Sequence, residues 1–220
     1  MPVYTIVPVK NLGGSKRRLS TVFTPHEREL LTLAMLEDVL STLKTSVAVD
    51  KILVVGENSQ VQQTADKFGA AYLLTKEEGL NPVIEEATTW CMKQGATSIL
   101  VLPADIPLIT SKDVNRIIEL AAKDRAVVLS PSSNWGTNAL YESPPKLITP
   151  CFGPKSFIAH IREAYCRDVS VRLHFSESVA TDIDSAEDLR KILAFENVTA
   201  CRRVLKEILG ESQKAREFFG

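Results

Sequence analysis

Residues 98–113, Ser98-Ile-Leu-Val-Leu-Pro-Ala-Asp-Ile-Pro-Leu-Ile-Thr-Ser-Lys-Asp113, constrain the fold more than any other stretch. Ile99 to Leu102 is an unbroken apolar run, the pattern of a strand covered on both faces of a parallel sheet. Pro103 and Pro107 cannot donate to a sheet ladder, so the strand is expected to stop there. Thr110 has the chemistry of an N-cap, with Asp113 in the first turn of a helix running to about Ala122. Asp105 therefore falls just past the carboxyl end of a central strand, where open α/β sheets bind ligands. A carboxylate between two prolines at that place is a candidate metal ligand. The alternative is a turn Asp that pairs with nearby amides.

Around this segment, strand-like and helix-like patterns alternate. Tyr4–Val9, Lys51–Val55, Ala70–Leu74 and Ala126–Leu129 read as strands. Thr24-Pro-His-Glu27 is a capping box with Pro at the first helical position, opening a helix to about Leu43. A second helix ends near Phe68-Gly69, and a third runs from Leu80 to Gln94 with Gly95 as its stop. Such alternation predicts a single-domain, three-layer α/β/α fold with a mostly parallel mixed sheet. Past Ser130–Thr137, a polar loop, shorter strands are expected at 138–141, 169–173 and 179–181, with helices at 155–166, 185–195 and 199–209. One domain covers 1–220, with a small substrate lobe at about 130–175. Val204, Leu205, Ile208 and Leu209 form one face of the C-terminal helix, expected to dock on the chain's own core or on a twin subunit, hence a homodimer.

Charge excludes some partners. The 220-residue chain carries a formal net charge of -1, so no global field draws it to nucleic acid or to an anionic membrane. No apolar run approaches the ~20 residues of a membrane helix. The N-terminus reads as a strand rather than a signal peptide, so a cytoplasmic protein is expected. Cys91, Cys151, Cys166 and Cys201 form no C-x-x-C pair and are read as reduced. His26, His160 and His174 are scattered and are read as helix or loop residues rather than ligands.

Local cations and carboxylates carry the chemistry. Lys10-Asn-Leu-Gly-Gly-Ser-Lys-Arg-Arg-Leu19 follows the first strand. Gly13 and Gly14 let its backbone approach a ligand, and Lys10, Lys16, Arg17 and Arg18 add charge suited to phosphate. It is not a Walker A loop, and the alternative is a solvated basic turn. Asp182 and Asp184 follow a short strand; extended chain there is expected to point them to opposite faces, and a turn at Ile183 would let both reach one ion. Asp184-Ser-Ala-Glu187 is equally a capping box for the next helix. With Asp105 they make a three-carboxylate set of hard oxygen donors, suited to magnesium and a nucleoside triphosphate.

Together these segments resemble the MobA-like, GT-A type nucleotidyltransferases. More narrowly they resemble the 2-phospho-L-lactate guanylyltransferase family of deazaflavin coenzyme biosynthesis. The likeness rests on Val7-Pro-Val-Lys10 with Lys16-Arg-Arg-Leu19, on Leu102-Pro-Ala-Asp-Ile-Pro-Leu108, and on Gly136-Thr-Asn-Ala139, Phe152-Gly-Pro-Lys-Ser-Phe157 and Asp182-Ile-Asp184. It departs at Arg17, where the family often has Ser. The resemblance implies a nucleotide-diphospho-sugar transferase fold and transfer of GMP from GTP to 2-phospholactate, with pyrophosphate as the other product. It implies a pair of magnesium ions on Asp105, Asp182 and Asp184, and Thr137, Gly153 and Ser156 on the phosphorylated acid. Gly79, Leu80 and Asn81, with Gly13 and Gly14, would meet the nucleotide, and Lys10, Lys16 and Arg18 its outer phosphates. A phosphate monoester has a second pKa of about 6, so the acceptor needs no general base. The alternatives are phosphoenolpyruvate or 3-phosphoglycerate as acceptor, a sugar-phosphate or molybdopterin nucleotidyltransferase, a GT-A glycosyltransferase, and a nucleotide-binding sensor without catalysis.

Overall fold

A computed structural model describes residues 2–9, 12, 16–121, 125–194 and 199–210. Its strands are β1 (Val3–Pro8), β2 (Lys51–Gly56), β3 (Ala71–Leu74), β4 (Ser98–Val101), β5 (Ala126–Pro131), β6 (Thr137–Ser143) and β7 (Ser170–Leu173). They form one sheet in the order β3-β2-β1-β4-β6-β5-β7. Only β6 runs antiparallel to its neighbours β4 and β5; every other pair is parallel. The sheet is thus mostly parallel and mixed, as the alternating pattern predicts.

Side chains of β1 alternate between two cores. Val3 and Val7 join one apolar cluster with Leu36, Leu40 and Ile117, from α1 (Pro25–Thr45) and α4 (Ser111–Glu119). Tyr4 and Ile6 join the other with Ile84 and Phe157, from α3 (Leu80–Lys93) and α5 (Ser156–Cys166). The period of two along each strand therefore builds the three layers. On the first face α2 (Ser59–Lys67) completes the cover, its N-cap Asn58 accepting from Gln60 N.

The capping boxes at Thr24/Glu27 and Thr110/Asp113 form as predicted. Residues 179–181 do not form the expected strand. They belong to a short helix, α6 (Glu177–Ala180), followed by Thr181. The reason is long-range: Ser178 Oγ donates to Asp113 Oδ2 at 2.7 Å, and the Val179 carbonyl accepts from Asn138 Nδ2 at 2.8 Å. Neither partner is near in sequence, so local β-propensity is overridden.

The remaining helices are α7 (Ala186–Ala194) and α8 (Ala200–Gly210). Leu205, Ile208 and Leu209 are buried in a third cluster with Leu31 and Met35 of α1. Asp38 of α1 accepts from Ala200 N at 2.7 Å and Cys201 N at 2.9 Å, so one helix supplies the N-terminal cap of the other. The apolar stripe of α8 is thereby taken up within the chain. All four cysteines are free. Among the described residues, no helix is long and apolar enough to cross a membrane.

Candidate active site

β1 and β4 lie side by side, and the sheet extends from them in opposite directions. Connections leaving their carboxyl ends part there, which opens a crevice. A cleft of about 280 Å³ occupies it. Its floor is Pro8, Val101 and Pro103, and Asp105, Asp182 and Asp184 line one wall. The β5–β6 turn with Thr137, Gly153 and Ser156 forms the other wall, and Asn138 stands beside Asp182.

The acidic wall is assembled by burying one residue. Ile183 is fully buried in the third cluster, and its amide donates to the Asp105 carbonyl at 2.9 Å. Burial alternates along 181–184, the period of extended chain, so residues two apart share a face. Asp182 and Asp184 thus reach the cleft together with no turn at Ile183, which corrects the expectation that extended chain would point them to opposite faces. The expected capping role of Asp184 is also corrected. The reciprocal box lies one residue later: Ser185 N donates to Asp188 Oδ2 at 3.0 Å, and Asp188 N donates to Ser185 Oγ at 3.3 Å. Asp184 is left with its carboxylate in the cleft.

Lys16 bridges the acidic set. Its Nζ donates to Asp105 Oδ2 at 2.6 Å and to Asp184 Oδ1 at 2.8 Å. Burial works against the lysine's charge, but Asp105 and then Asp184 outweigh it and hold its pKa above the usual value. Asp182 has the opposite balance. Burial raises its pKa, helped by the charges of Asp105 and Asp184, while Asn138 opposes the rise. Its Oδ1 is buried with no hydrogen-bond partner. An orphaned carboxylate oxygen beside two more carboxylates calls for a cation. An ammonium already stands between two of them. Among the described residues no group of three or more His, Cys, Asp or Glu forms a ready-made metal cage. The donors nonetheless fit magnesium, which takes one or two carboxylates and completes its shell with substrate phosphates and water.

The opposite wall is built from hydroxyls at a helix start. α5 opens at Ser156 after Gly153, whose φ is +148°. Ser156 Oγ donates to Thr137 Oγ1 at 3.1 Å, and Thr137 Oγ1 lies 2.9 Å from His160 Nδ1. The N-terminus of α5 faces this corner, adding partial positive charge. The turn before β6 needs its glycine: a Cβ on Gly136 would lie 2.7 Å from Ser132 Oγ.

Other predicted residues fall as follows. Leu80 lines the cleft. Gly79, with φ +90°, precedes α3 and borders a recess of about 170 Å³ that shares Pro8 and Leu80 with the cleft. Asn81 is engaged elsewhere: its Nδ2 donates to the Phe152 carbonyl at 3.1 Å and its Oδ1 accepts from Phe152 N at 2.7 Å. It clamps α3 to the loop before α5. Arg18 is exposed. Lys10, Gly13 and Gly14 lie outside the described residues. Sequence reasoning missed His160, which is fully buried behind Thr137. The signal available was its place four residues after Ser156, one turn along the same helix.

A larger recess of about 490 Å³ lies elsewhere, beside α3. Its cations have partners within the chain: Lys146 donates to Thr89 Oγ1, and Arg167 to Glu163 and Thr149. The acidic cleft, with its orphaned oxygen, is the better site.

The family of guanylyl transferases like CofC matches residues 3–216. The chain belongs to this family. It is 40% identical over 195 residues to a phosphoenolpyruvate guanylyltransferase of Rubrobacter xylanophilus, covering 88% of this chain and 95% of the relative. It is 35% identical over 211 residues to a 2-phospho-L-lactate guanylyltransferase of Methanothermobacter thermautotrophicus, covering 94% and 92%. A solved structure of a cytidylyltransferase from Leptospira borgpetersenii superposes with a TM-score of 0.63 at 18% identity, covering 99% of this chain and 96% of that one. That likeness bears on fold. The chain is a nucleotidyltransferase of the guanylyltransferase kind, which takes a nucleoside triphosphate and a small phosphorylated substrate.

Proposed function

We propose that the protein transfers GMP from GTP to phosphoenolpyruvate and releases pyrophosphate, with 2-phospho-L-lactate as the second acceptor to test. The observation that carries this reading is the two-sided cleft. Carboxylates with Lys16 stand on one wall, and hydroxyls at the α5 N-terminus stand on the other. The donor wall suits the anionic oxygens of a phosphorylated acid. The nucleoside fits toward the recess beside Gly79 and Leu80, which continues the cleft past Pro8. Phosphoenolpyruvate is placed first because the relative with 40% identity bears that name, against 35% for the phospholactate enzyme.

Asp105, Asp182 and Asp184 would hold magnesium. Bound there, the metal would neutralise charge on the attacking and leaving oxygens. The rest follows from the chain's own groups. The acceptor phosphate is already ionised at neutral pH, so no side chain need remove a proton. Thr137, Ser156 and the α5 N-terminus hold the acid in place, which converts attack on the α-phosphorus into a positioned step. Lys16 is drawn from Asp105 and Asp184 toward the polyphosphate, where its charge offsets that of the leaving group.

Purified protein incubated with magnesium, GTP and each of phosphoenolpyruvate, 2-phospho-L-lactate and 3-phosphoglycerate tests the reading. Pyrophosphate release is expected, fastest with phosphoenolpyruvate. Faster release with phospholactate would reassign the acceptor, and no release with any of the three would overturn the function.

A further inference from the structure

His160 lies on α5, one turn inside the donor wall, with no exposed surface. Its two ring nitrogens do different work. Cys151 N–H donates to Nε2 at 2.8 Å, which requires a lone pair there. A neutral imidazole carries one proton, so that proton sits on Nδ1. Nδ1 then donates to Thr137 Oγ1 across 2.9 Å. Ser156 Oγ donates to the same oxygen at 3.1 Å. A hydroxyl that accepts twice has its own hydrogen left to give. Thr137 lines the cleft, so that hydrogen is offered to whatever binds there.

The ring's surroundings keep it neutral. Burial holds its pKa down at about 4, and the opposing charge of Glu163, one turn along α5, does not restore it. The Phe152 ring packs edge-on against it, 4.9 Å between centroids, and the hydrogen bonds at both ring nitrogens set the orientation of the imidazole.

We propose that His160 is a positioning residue: held as the Nδ1–H tautomer by the Cys151 amide, it makes Thr137 an obligate hydrogen-bond donor to an anionic oxygen of the acceptor. An ionised carboxylate or phosphate oxygen accepts and never donates, so it fits this corner, and a group that can only donate is disfavoured there. This rests on the acceptor binding in the cleft, as in the function proposed above.

Two substitutions separate the ring's two roles. His160→Asn keeps an N–H near the Nδ1 position and loses the acceptor for Cys151. His160→Gln reaches the Cys151 amide with its carbonyl and leaves Thr137 without its donor. Calorimetric titration with phosphoenolpyruvate, 2-phospho-L-lactate and 3-phosphoglycerate, and separately with magnesium–GTP, needs no turnover. His160→Gln is expected to weaken binding of the tightest acid by about tenfold or more, the scale of one hydrogen bond to a charged group. GTP affinity stays unchanged, and His160→Asn stays close to wild type. Nitrogen-15 spectra of the wild-type imidazole should report the Nδ1–H tautomer even if both variants fold poorly. An Nε2–H tautomer, equal losses of acid and GTP affinity, or no binding of any of the three acids would overturn the proposal. Pyrophosphate release by the wild type reports separately on the guanylyltransferase reading.

Discussion

At Asp182 a buried carboxylate oxygen has no partner, and two further carboxylates raise the cost of its charge. Groups kept in such an arrangement weaken the ligand-free fold and are expected to be functional. Asp182→Asn should therefore raise the melting temperature of the ligand-free protein by a few degrees, on the order of 1 kcal/mol. The same change should lower turnover at least ~100-fold, the scale of removing an electrostatic stabiliser. Asp105→Asn should cost activity similarly but behave differently in stability, since it weakens the 2.6 Å bridge to Lys16. Thermal scans and pyrophosphate assays on both variants check the pair. A stabilised Asp182→Asn protein with wild-type turnover would remove Asp182 from the site.

Elements near the site were legible in the sequence where a local rule decided them. The run Ile99–Leu102, closed by Pro103, ends β4 as expected, and Thr110 with Asp113 caps α4. What local rules could not supply was pairing across the sequence. The helix at 177–180 depends on Asp113 and Asn138, and the cap of α7 lies at Ser185 and Asp188, one residue past the expected pair. The carboxylates were found by type and spacing, but the buried bridge through Lys16 and the role of His160 require the fold. Glu142 is a further case: the strand expected at 138–141 stops one residue short of it, whereas β6 includes it. It is buried, and its Oε1 accepts from Ile148 N at 2.9 Å. Burial pushes its pKa up to about 7, against the backbone amides of 146–148 that favour the charged form. Its folded pKa lies above the unfolded value, so its contribution to stability is full below about 4.5 and is lost as pH rises through about 7. Relative to Glu142→Gln, the wild type should thus lose stability between those values, by a ceiling on the order of 3 kcal/mol. Melting temperatures of both proteins at pH 5 and pH 8 measure it, and a constant difference would show that Glu142 ionises freely.

Across the whole molecule, the C-terminal helix and the acidic wall share one apolar cluster. Leu205 of α8, Leu189 and Ile192 of α7, Met35 of α1, Leu108 after Asp105, and Ile183 between Asp182 and Asp184 all belong to it. Ile183 is fully buried there, and its amide holds the Asp105 carbonyl, so packing around it sets where three carboxylates stand. A void opened in this cluster should be felt in the cleft, because close-packed interiors transmit strain rather than absorb it. Leu205→Ala should cost about 2–5 kcal/mol of stability, the range for deleting a buried leucine side chain. It should also lower kcat and weaken magnesium dependence although no atom of Leu205 lines the cleft. Affinity for the phosphorylated acid should change much less, since the donor wall rests on the other face of the sheet with Phe157. Steady-state kinetics with varied magnesium and varied acid, run well below the variant's melting temperature, separate the two walls. Equal losses in both would mean that the variant is merely less folded, and normal magnesium dependence would mean that the acidic wall is positioned by β4 alone.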